Sequence, residues 1–166
     1  MKPKTVGRTD GELAVLAPVD TSGLLAESII LTLDGERRIT DLRPGDRVIT
    51  RDSGFAVLEN VTQRETRTRA VRIKAGSLGH TRPERDVTLP AAQPILVRDW
   101  RAQALFGASR ALVPVERLVD GEFVTLDPDT TTMTLYTLDF AAPHLIYVDG
   151  LELSSSADMP LTARVV

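Results

Sequence analysis

Short β-rich segments separated by turn residues divide the chain from residue 28 onward, and this pattern limits the possible folds more than any other feature of the sequence. Ser28–Leu33 is rich in residues that favour strands and is followed by Asp34-Gly35, a strong hairpin signal. Within residues 70–75 apolar and basic side chains alternate, as on a strand with one buried face. Strands this short and frequent, broken by Gly, Pro and Asp, predict an all-β fold.

One segment has helical spacing, and the other segments continue the strand pattern. A helix is predicted over Trp100–Phe106, with Gly107 as its stop signal. The remaining strands are predicted at Arg37–Leu42, Asp46–Thr50, two positions within Val57–Ala75, Arg85–Leu89, Ile95–Val97, Leu112–Val115, Phe123–Leu126, Met133–Leu138, Leu145–Val148 and Leu151–Leu153. Residues 13–22 are predicted to add an edge strand, since they contain apolar residues without clean periodicity.

A short unit occurs twice, 76 residues apart. Residues 42–48 read LRPGDRV and residues 118–124 read LVDGEFV, so each copy is an apolar residue, a glycine turn, an acid and a strand. Gly45 and Gly121 are expected to supply the positive φ that such turns require. We interpret the repeat as a duplication that gives two similar, interlocked halves. The alternative is that unrelated turn–strand units converge on glycine followed by an acid.

The absence of cysteine and the presence of only two histidines, His80 and His144, exclude several kinds of site. There can be no thiolate nucleophile, disulfide, zinc–thiolate site or iron–sulfur cluster. Two histidines cannot form a multi-histidine metal centre, so we predict no metal and no cofactor. A hydrophobic fraction of 42% and a charged fraction of 26% are ordinary for a globular protein, and 166 residues correspond to about one domain.

The N-terminus carries no predicted export signal. Its early apolar run, Leu13–Val19, is interrupted by Pro18 and is too short for the apolar region of a signal peptide. No stretch approaches the roughly 20 apolar residues that a transmembrane helix needs. We therefore expect no membrane association and, by default, a cytoplasmic protein.

Charge is distributed unevenly along the chain. Residues 64–85 contain seven basic and two acidic side chains, whereas residues 116–152 contain eight acids and one arginine. We interpret the two groups as solvated faces of neighbouring strands that attract each other. The alternative is a surface that binds an acidic partner through Arg67, Arg69 and Arg72. A nucleic-acid partner is not expected, because the net charge is −3 and no aromatic residue interrupts the basic group.

Several stretches resemble Hedgehog/intein (Hint) domains, and in particular a bacterial subfamily of them. The opening block is SIILTLDG at 28–35, ITDL at 39–42 and GDRV at 45–48. The middle contains VRIKAG at 71–76, PERD at 83–86, LFG at 105–107 and LVP at 112–114, and the close contains YTL at 136–138 and HLIYVDG at 144–150. The resemblance covers residues 23–155 and implies the pseudo-symmetric Hint fold of many short strands.

The resemblance also implies a chemistry, because active Hint domains break their own chain. In the family a Cys or Ser at the first position attacks the preceding carbonyl, and a Thr-x-x-His block strains and protonates the amide. A second histidine near the end assists, and in inteins a terminal Asn cyclises. An amide is a poor electrophile, so the nucleophile must be held in line and the departing nitrogen must receive a proton.

Most of the family's chemical positions carry other residues in this chain. Counting back from Asp34-Gly35 places the nucleophile position at Gly23, which has no side chain. The Thr-x-x-His block falls on residues 90–93, so that Pro90 and Gln93 replace the threonine and the histidine. The terminal His-Asn pair falls on Ser154-Ser155, and His144 alone is retained.

Two serine-based alternatives remain open. Ser22 could act as a displaced oxygen nucleophile beside Gly23, although a serine in this context is typical of a turn. Ser154, Ser155 or Ser156 could act with His144 as base and with Asp139 or Asp149 as the orienting acid. The simpler interpretation is a packed strand-end His144 and a solvated serine run.

These observations together predict a degenerate Hint domain without its reaction. The predicted organisation is a leader or edge segment at 1–22, a Hint-like domain at 23–155 and a C-terminal tail at 156–166. We expect a structural or protein-interaction module whose partner is another protein and whose oligomeric state the sequence leaves open. The competing hypothesis is a slow serine-dependent self-cleaving domain that uses Ser22 or Ser154–Ser156 with His144.

Overall fold

The computed structural model describes residues 21–157, which contain thirteen β-strands, one α-helix and two short 3-10 helices. The strands are β1 (Ile29–Thr32), β2 (Gly35–Arg38), β3 (Arg47–Thr50), β4 (Gly54–Val57), β5 (Asn60–Thr68), β6 (Ala70–Ile73), β7 (Val87–Pro90), β8 (Pro94–Val97), β9 (Ala111–Pro114), β10 (Val124–Leu126), β11 (Thr131–Asp139), β12 (Leu145–Val148) and β13 (Leu151–Ser154). The α-helix, α1, is Trp100–Phe106, and the 3-10 helices are Ile39–Asp41 and Val115–Leu118. The all-β prediction is confirmed.

The largest sheet joins strands from both ends of the described chain. Its strands lie in the order β9-β8-β13-β12-β1-β3-β4, with β2 paired to β1 and an additional pairing of β12 with β3. A three-stranded sheet has the order β10-β6-β7, and a long two-stranded ribbon is formed by β5 and β11. The strands β12 and β13, late in the sequence, therefore lie between the early β1 and the middle β8, so the two parts of the chain interlock.

Most buried apolar side chains belong to one core. Ile30, Ile73, Ile95, Ile146 and Leu153 are completely buried and come from strands that span most of the sequence. A smaller cluster beneath the ribbon consists of Ala70, Met133 and Leu135. The core thus holds together strands that are distant in sequence, and it fixes the relative positions of the residues that those strands carry.

The predicted helix has the bounds that its sequence signals indicate. The Asp99 side chain accepts a hydrogen bond from the Arg101 N–H at 3.0 Å at the helix start, and Gly107 ends the helix with φ +71°. A single tryptophan is typically found at the edge of a core, but the Trp100 side chain is 66% exposed and stacks 4.8 Å from the Arg101 guanidinium. The tertiary fold turns this face of α1 away from the core.

Both copies of the repeated unit fold alike. Each follows a 3-10 helix, turns at a glycine with positive φ and leads into a strand, with φ +97° at Gly45 and +82° at Gly121. Asp120 accepts hydrogen bonds from the backbone N–H groups of residues 122–124 at 2.8–2.9 Å. Burial would raise the pKa of Asp120, but these donors lower it below its ordinary value.

Several strand predictions require correction. The strand predicted at Arg37–Leu42 ends at Arg38, because the chain turns into the first 3-10 helix and buries Ile39. The strand predicted at Arg85–Leu89 begins at Val87, since Arg85 pairs with Asp149 instead of joining the ladder. The sequence also did not predict β4 as a separate strand. The edge strand predicted at residues 13–22 lies almost entirely outside the described residues.

The attraction predicted between the basic and acidic groups is present as four ion pairs, but the acid Glu152 is buried and not solvated as predicted. Four arginines between residues 69 and 85 contact four acids between residues 116 and 152 at 2.7–3.1 Å. The pairs are Arg69–Glu116, Arg72–Asp127, Arg82–Glu152 and Arg85–Asp149.

Candidate active site

The peptide bond between Ser22 and Gly23 is held by two side chains. The Gly23 N–H donates to Gln93 Oε1 at 2.9 Å, and both residues are buried. On the other side of the bond, Arg64 Nη2 donates to the Ser22 carbonyl oxygen at 2.5 Å. Arg64 is fixed in turn by a 2.9 Å hydrogen bond from its Nη1 to Thr137 on the facing strand. The amide is therefore bound at its N–H and at its carbonyl.

A tight turn after β7 places Gln93 at this position. The Gln93 N–H donates to the Pro90 carbonyl at 3.0 Å, and the Gln93 carbonyl accepts from the Val115 N–H at 2.9 Å. The Gln93 carboxamide also reaches β13, where Nε2 donates to the Ser154 carbonyl at 2.8 Å. Gly23, Gln93 and Ser154, which are separated by 61 and 70 residues along the chain, thus meet at one buried side chain.

Gly23 has no room for a side chain. Its φ is +147°, which L side chains rarely adopt, and the chain is tied to β11 by the reciprocal backbone hydrogen bonds of Leu24 and Tyr136. A Cβ built on Gly23 would lie 2.9 Å from Leu135 Cβ and 3.3 Å from the Tyr136 carbonyl oxygen. Leu135 is completely buried and cannot move aside easily.

His144 belongs to a neighbouring group of polar residues. Its Nδ1 lies 3.0 Å from Asp52 Oδ2, while Asp52 Oδ1 accepts from the Leu145 N–H at 3.0 Å. Ser53 Oγ lies 3.4 Å from the same ring nitrogen, and the ring packs edge-on against Phe140. The acid that contacts the His144 ring is neither of the two predicted ones. Asp149 pairs with Arg85, and the acid that contacts His144 is Asp52, which no sequence signal singled out.

The serine run contacts the backbone of His144 through Ser155. The His144 N–H donates to Ser155 Oγ at 2.9 Å, and the Ser155 N–H donates to the His144 carbonyl at 2.8 Å. Ser154 Oγ donates to the Ser156 carbonyl at 2.6 Å. Ser155, Ser156, Asp139 and Phe140 line a small cavity of 150 Å³. The serines lie at the end of β13, but the run is not solvated as predicted, since Ser154 is buried and Ser155 and Ser156 are half-buried. His80 lies elsewhere, on an exposed turn.

Within residues 21–157, no group of three or more His, Asp or Glu side chains is arranged to hold a metal ion. Nor does this part of the chain contain a helix that is long and apolar enough to cross a membrane.

The fold defined by these strands is that of inteins and intein-like domains. The structure has a TM-score of 0.57 to a bacterial intein-like domain from Clostridium thermocellum, at 17% identity, covering 80% of this chain and 97% of that one. Its TM-score to a DnaB intein from Synechocystis sp. PCC 6803 is 0.51, at 13% identity, covering 82% of this chain and 99% of that one. Its TM-score to the gp41-1 intein is 0.50, at 12% identity, covering 80% of this chain and 98% of that one.

The family itself is established by sequence. The Hint domain family model matches residues 22–159, which is most of the chain. The protein belongs to the Hint domain family, and the resemblance noted from the sequence is confirmed. No match was found among curated proteins.

Proposed function

We propose that this protein is a Hint domain that holds the Ser22–Gly23 peptide bond intact and serves as a structural or protein-interaction module. The observation that carries the proposal is the contact between Gln93 and the Gly23 N–H. Cleavage of an amide requires a general acid that delivers a proton to the departing nitrogen. The Gln93 carboxamide is not an acid near neutral pH, and the atom that faces the nitrogen is its acceptor oxygen.

The nucleophile position supports the same proposal. Gly23 offers no attacking atom, and the space that a side chain would need is filled by Leu135 and the Tyr136 carbonyl. The cysteine or serine that active family members carry at this position would therefore not fit at residue 23 of this chain. The Arg64 contact fits a holding role, since a guanidinium on the Ser22 carbonyl fixes the bond without supplying a nucleophile.

The test is the intact mass of the full chain during prolonged incubation in mildly alkaline buffer, with and without hydroxylamine. Hydroxylamine converts an ester intermediate into cleavage fragments, so even a slow acyl shift would be detected. We expect one unchanged full-length mass in both conditions. Fragments that end next to Ser22, and that disappear in Ser22→Ala but persist in Ser53→Ala, would overturn the proposal.

The second candidate is slow self-cleavage at the serine run, which the Asp52–His144 pair favours. A carboxylate on Nδ1 orients an imidazole and leaves its other nitrogen as the base, as in serine hydrolases. This function predicts fragments that end at residues 154–156 and that are lost in both His144→Ala and Asp52→Asn. An unchanged mass in the wild-type protein would exclude it.

A further inference from the structure

The largest sheet ends at β4, whose outer edge pairs with no other strand of residues 21–157. Leu58 donates its N–H to the Asp46 carbonyl on the β3 side, whereas Glu59 donates to Asp139 on the opposite side. Backbone groups of successive strand residues alternate in direction, so the N–H and C=O groups of Phe55 and Val57 face away from β3. The edge of β4 therefore presents two donors and two acceptors.

The side chains of this edge are apolar and exposed. Phe55 is 48% exposed and Val57 is 50% exposed, and residues 53–58 contain no charge. The strand β2, which pairs only with β1, offers a contrast because it carries Glu36, Arg37 and Arg38. Charged side chains are a common means by which proteins prevent a free edge from pairing with another chain. That protection is present on β2 and absent on β4.

We infer that β4 is a homodimer interface, at which two copies of this chain pair their β4 edges antiparallel about a two-fold axis at Ala56. The sequence of the edge is complementary to itself in this register. Phe55 lies opposite the partner's Val57, and Val57 lies opposite the partner's Phe55. Each of these two pairs forms two backbone hydrogen bonds, because both residues present outward N–H and C=O groups.

The side chains support the same register. An aromatic residue opposite a β-branched one is a favourable cross-strand pair, and the two-fold axis produces two such pairs on one face. The pairing is confined to residues 55–57, because the Asp139 carbonyl already accepts the outward Glu59 N–H. These three residues carry no charge, so no like charges meet. An interface centred on a four-residue strand is small, and the dimer is therefore weak and dependent on concentration.

This inference deepens the proposed interaction role by naming a second copy of the chain as the partner. It rests on the edge of β4 and not on the Ser22–Gly23 site. The two proposals fail separately, because cleavage changes the mass of the chain and association changes only the mass of the assembly.

The test is sedimentation velocity of the full chain over a series of protein concentrations. We expect a reversible monomer–dimer equilibrium in the wild-type protein and a dissociation constant raised about tenfold or more in Phe55→Lys/Val57→Lys, where lysines face each other. In Phe55→Lys/Val57→Glu each lysine faces a glutamate, and we expect dimerisation to return. The matched control is Trp100→Lys/Leu105→Lys, which adds the same charge to exposed apolar positions on α1 and should dimerise like the wild type.

Three results would overturn the inference. One is a wild-type protein that remains monomeric throughout the series. Another is a dimer that the two lysines at β4 do not weaken, or that the lysine–glutamate variant fails to restore although it folds like the wild type by circular dichroism. The third is a monomer whose Phe55 and Val57 amides are protected from hydrogen exchange, which would mean that another segment of the same chain covers the edge.

Discussion

Gly23 and Gln93 determine the character of the site at the scale of single residues. Gly23 provides a backbone conformation and a close approach to Leu135 that a side chain would prevent. The Gln93 carboxamide accepts from the buried Gly23 N–H and donates to the carbonyls of Pro94 and Ser154. Buried polar groups of this kind are costly to leave unpaired.

Replacing Gly23 by cysteine should destabilise the protein without producing cleavage. The positive φ and the 2.9 Å approach of the new Cβ to Leu135 should together cost about 2–3 kcal/mol. The control is Gly107→Ala, where φ is +71° and no atom lies within 4 Å, so that only the conformational cost of about 1 kcal/mol applies. Urea denaturation measures both values, and an equal loss in the two variants would contradict the steric argument.

Replacing Gln93 by alanine should cost about 1–3 kcal/mol, because the change leaves the Gly23 N–H without its acceptor in the interior and removes a donor to the Ser154 carbonyl. Gln93→Glu retains the acceptor for Gly23 but loses the donor to Ser154 at neutral pH. Protonation restores a donor, so this variant should recover part of its stability relative to wild type in acid. Thermal unfolding at neutral and acidic pH measures the difference, and a deficit independent of pH would contradict the prediction.

A buried carboxylate joins three separate segments at the scale of the secondary-structure elements. Glu152 on β13 is 0% exposed, and Arg51, Arg82 and Arg98 contact its carboxylate at 2.6–2.7 Å. Burial would raise the pKa of Glu152, but the hydrogen bonds from Arg98 and Arg82 outweigh it and hold the pKa below its ordinary value. The three arginines come from the turn after β3, the loop before β7 and the end of β8.

Replacing Glu152 by glutamine should destabilise the protein by about 3–5 kcal/mol at neutral pH, because three guanidinium groups lose their counter-charge. The control is Asp127→Asn, whose exposed pair with Arg72 should contribute less than about 1 kcal/mol. Thermal or denaturant unfolding of both variants gives the comparison. Equal losses would contradict the structural role of Glu152.

The same carboxylate should make stability depend on pH. Because folding lowers the pKa of Glu152, its contribution is complete above the unfolded value of about 4.3 and is lost as the pH falls through the folded value. The stability difference between wild type and Glu152→Gln should therefore shrink in acid. Unfolding curves recorded from neutral pH down to about pH 3 test this, and a constant difference would refute it.

The whole molecule is organised by the interleaving of its strands. The late strand β12 pairs with the early strands β1 and β3, and β13 pairs with the middle strand β8. Neither the early strands nor the late strands can complete the largest sheet alone. Ion pairs between residues 69–85 and 116–152 add further contacts between distant segments.

Unfolding should therefore be a single cooperative transition. Trp100 fluorescence reports on α1, and circular dichroism reports on all of the strands, so the two signals should give the same midpoint and slope in denaturant. The high proportion of contacts between distant segments should make folding slow for a chain of this size, in the range of milliseconds to seconds. Two separated transitions would mean that the parts of the chain fold as independent units.

Local sequence patterns predicted much of the fold. Alternation identified most strands, Asp34-Gly35 marked the first hairpin, and α1 was predicted with its observed bounds because its capping residues lie beside it. The order and spacing of short blocks identified the Hint family, which the family model confirms. The errors occurred where packing overrode a local preference, as at Ile39, which leaves the strand pattern to enter the core.

The site was predicted less completely. The sequence pointed to Gly23, Gln93, Ser154 and His144, but it did not indicate that Gln93 bridges Gly23 and Ser154 or that Asp52 contacts His144. Arg64 and Leu135 were not considered at all. These contacts join residues 42–112 positions apart, and no period or spacing in the sequence encodes them.

The sequence by itself therefore determined the family, the all-β class and the residue types available at each chemical position, because these depend on local order and composition. Only the tertiary structure decided which polar groups meet, which carboxylate is buried and which strand edges within residues 21–157 stay unpaired. The physical reason is that strand pairing brings together residues remote in sequence, and their burial then fixes which hydrogen bonds and charges must be satisfied.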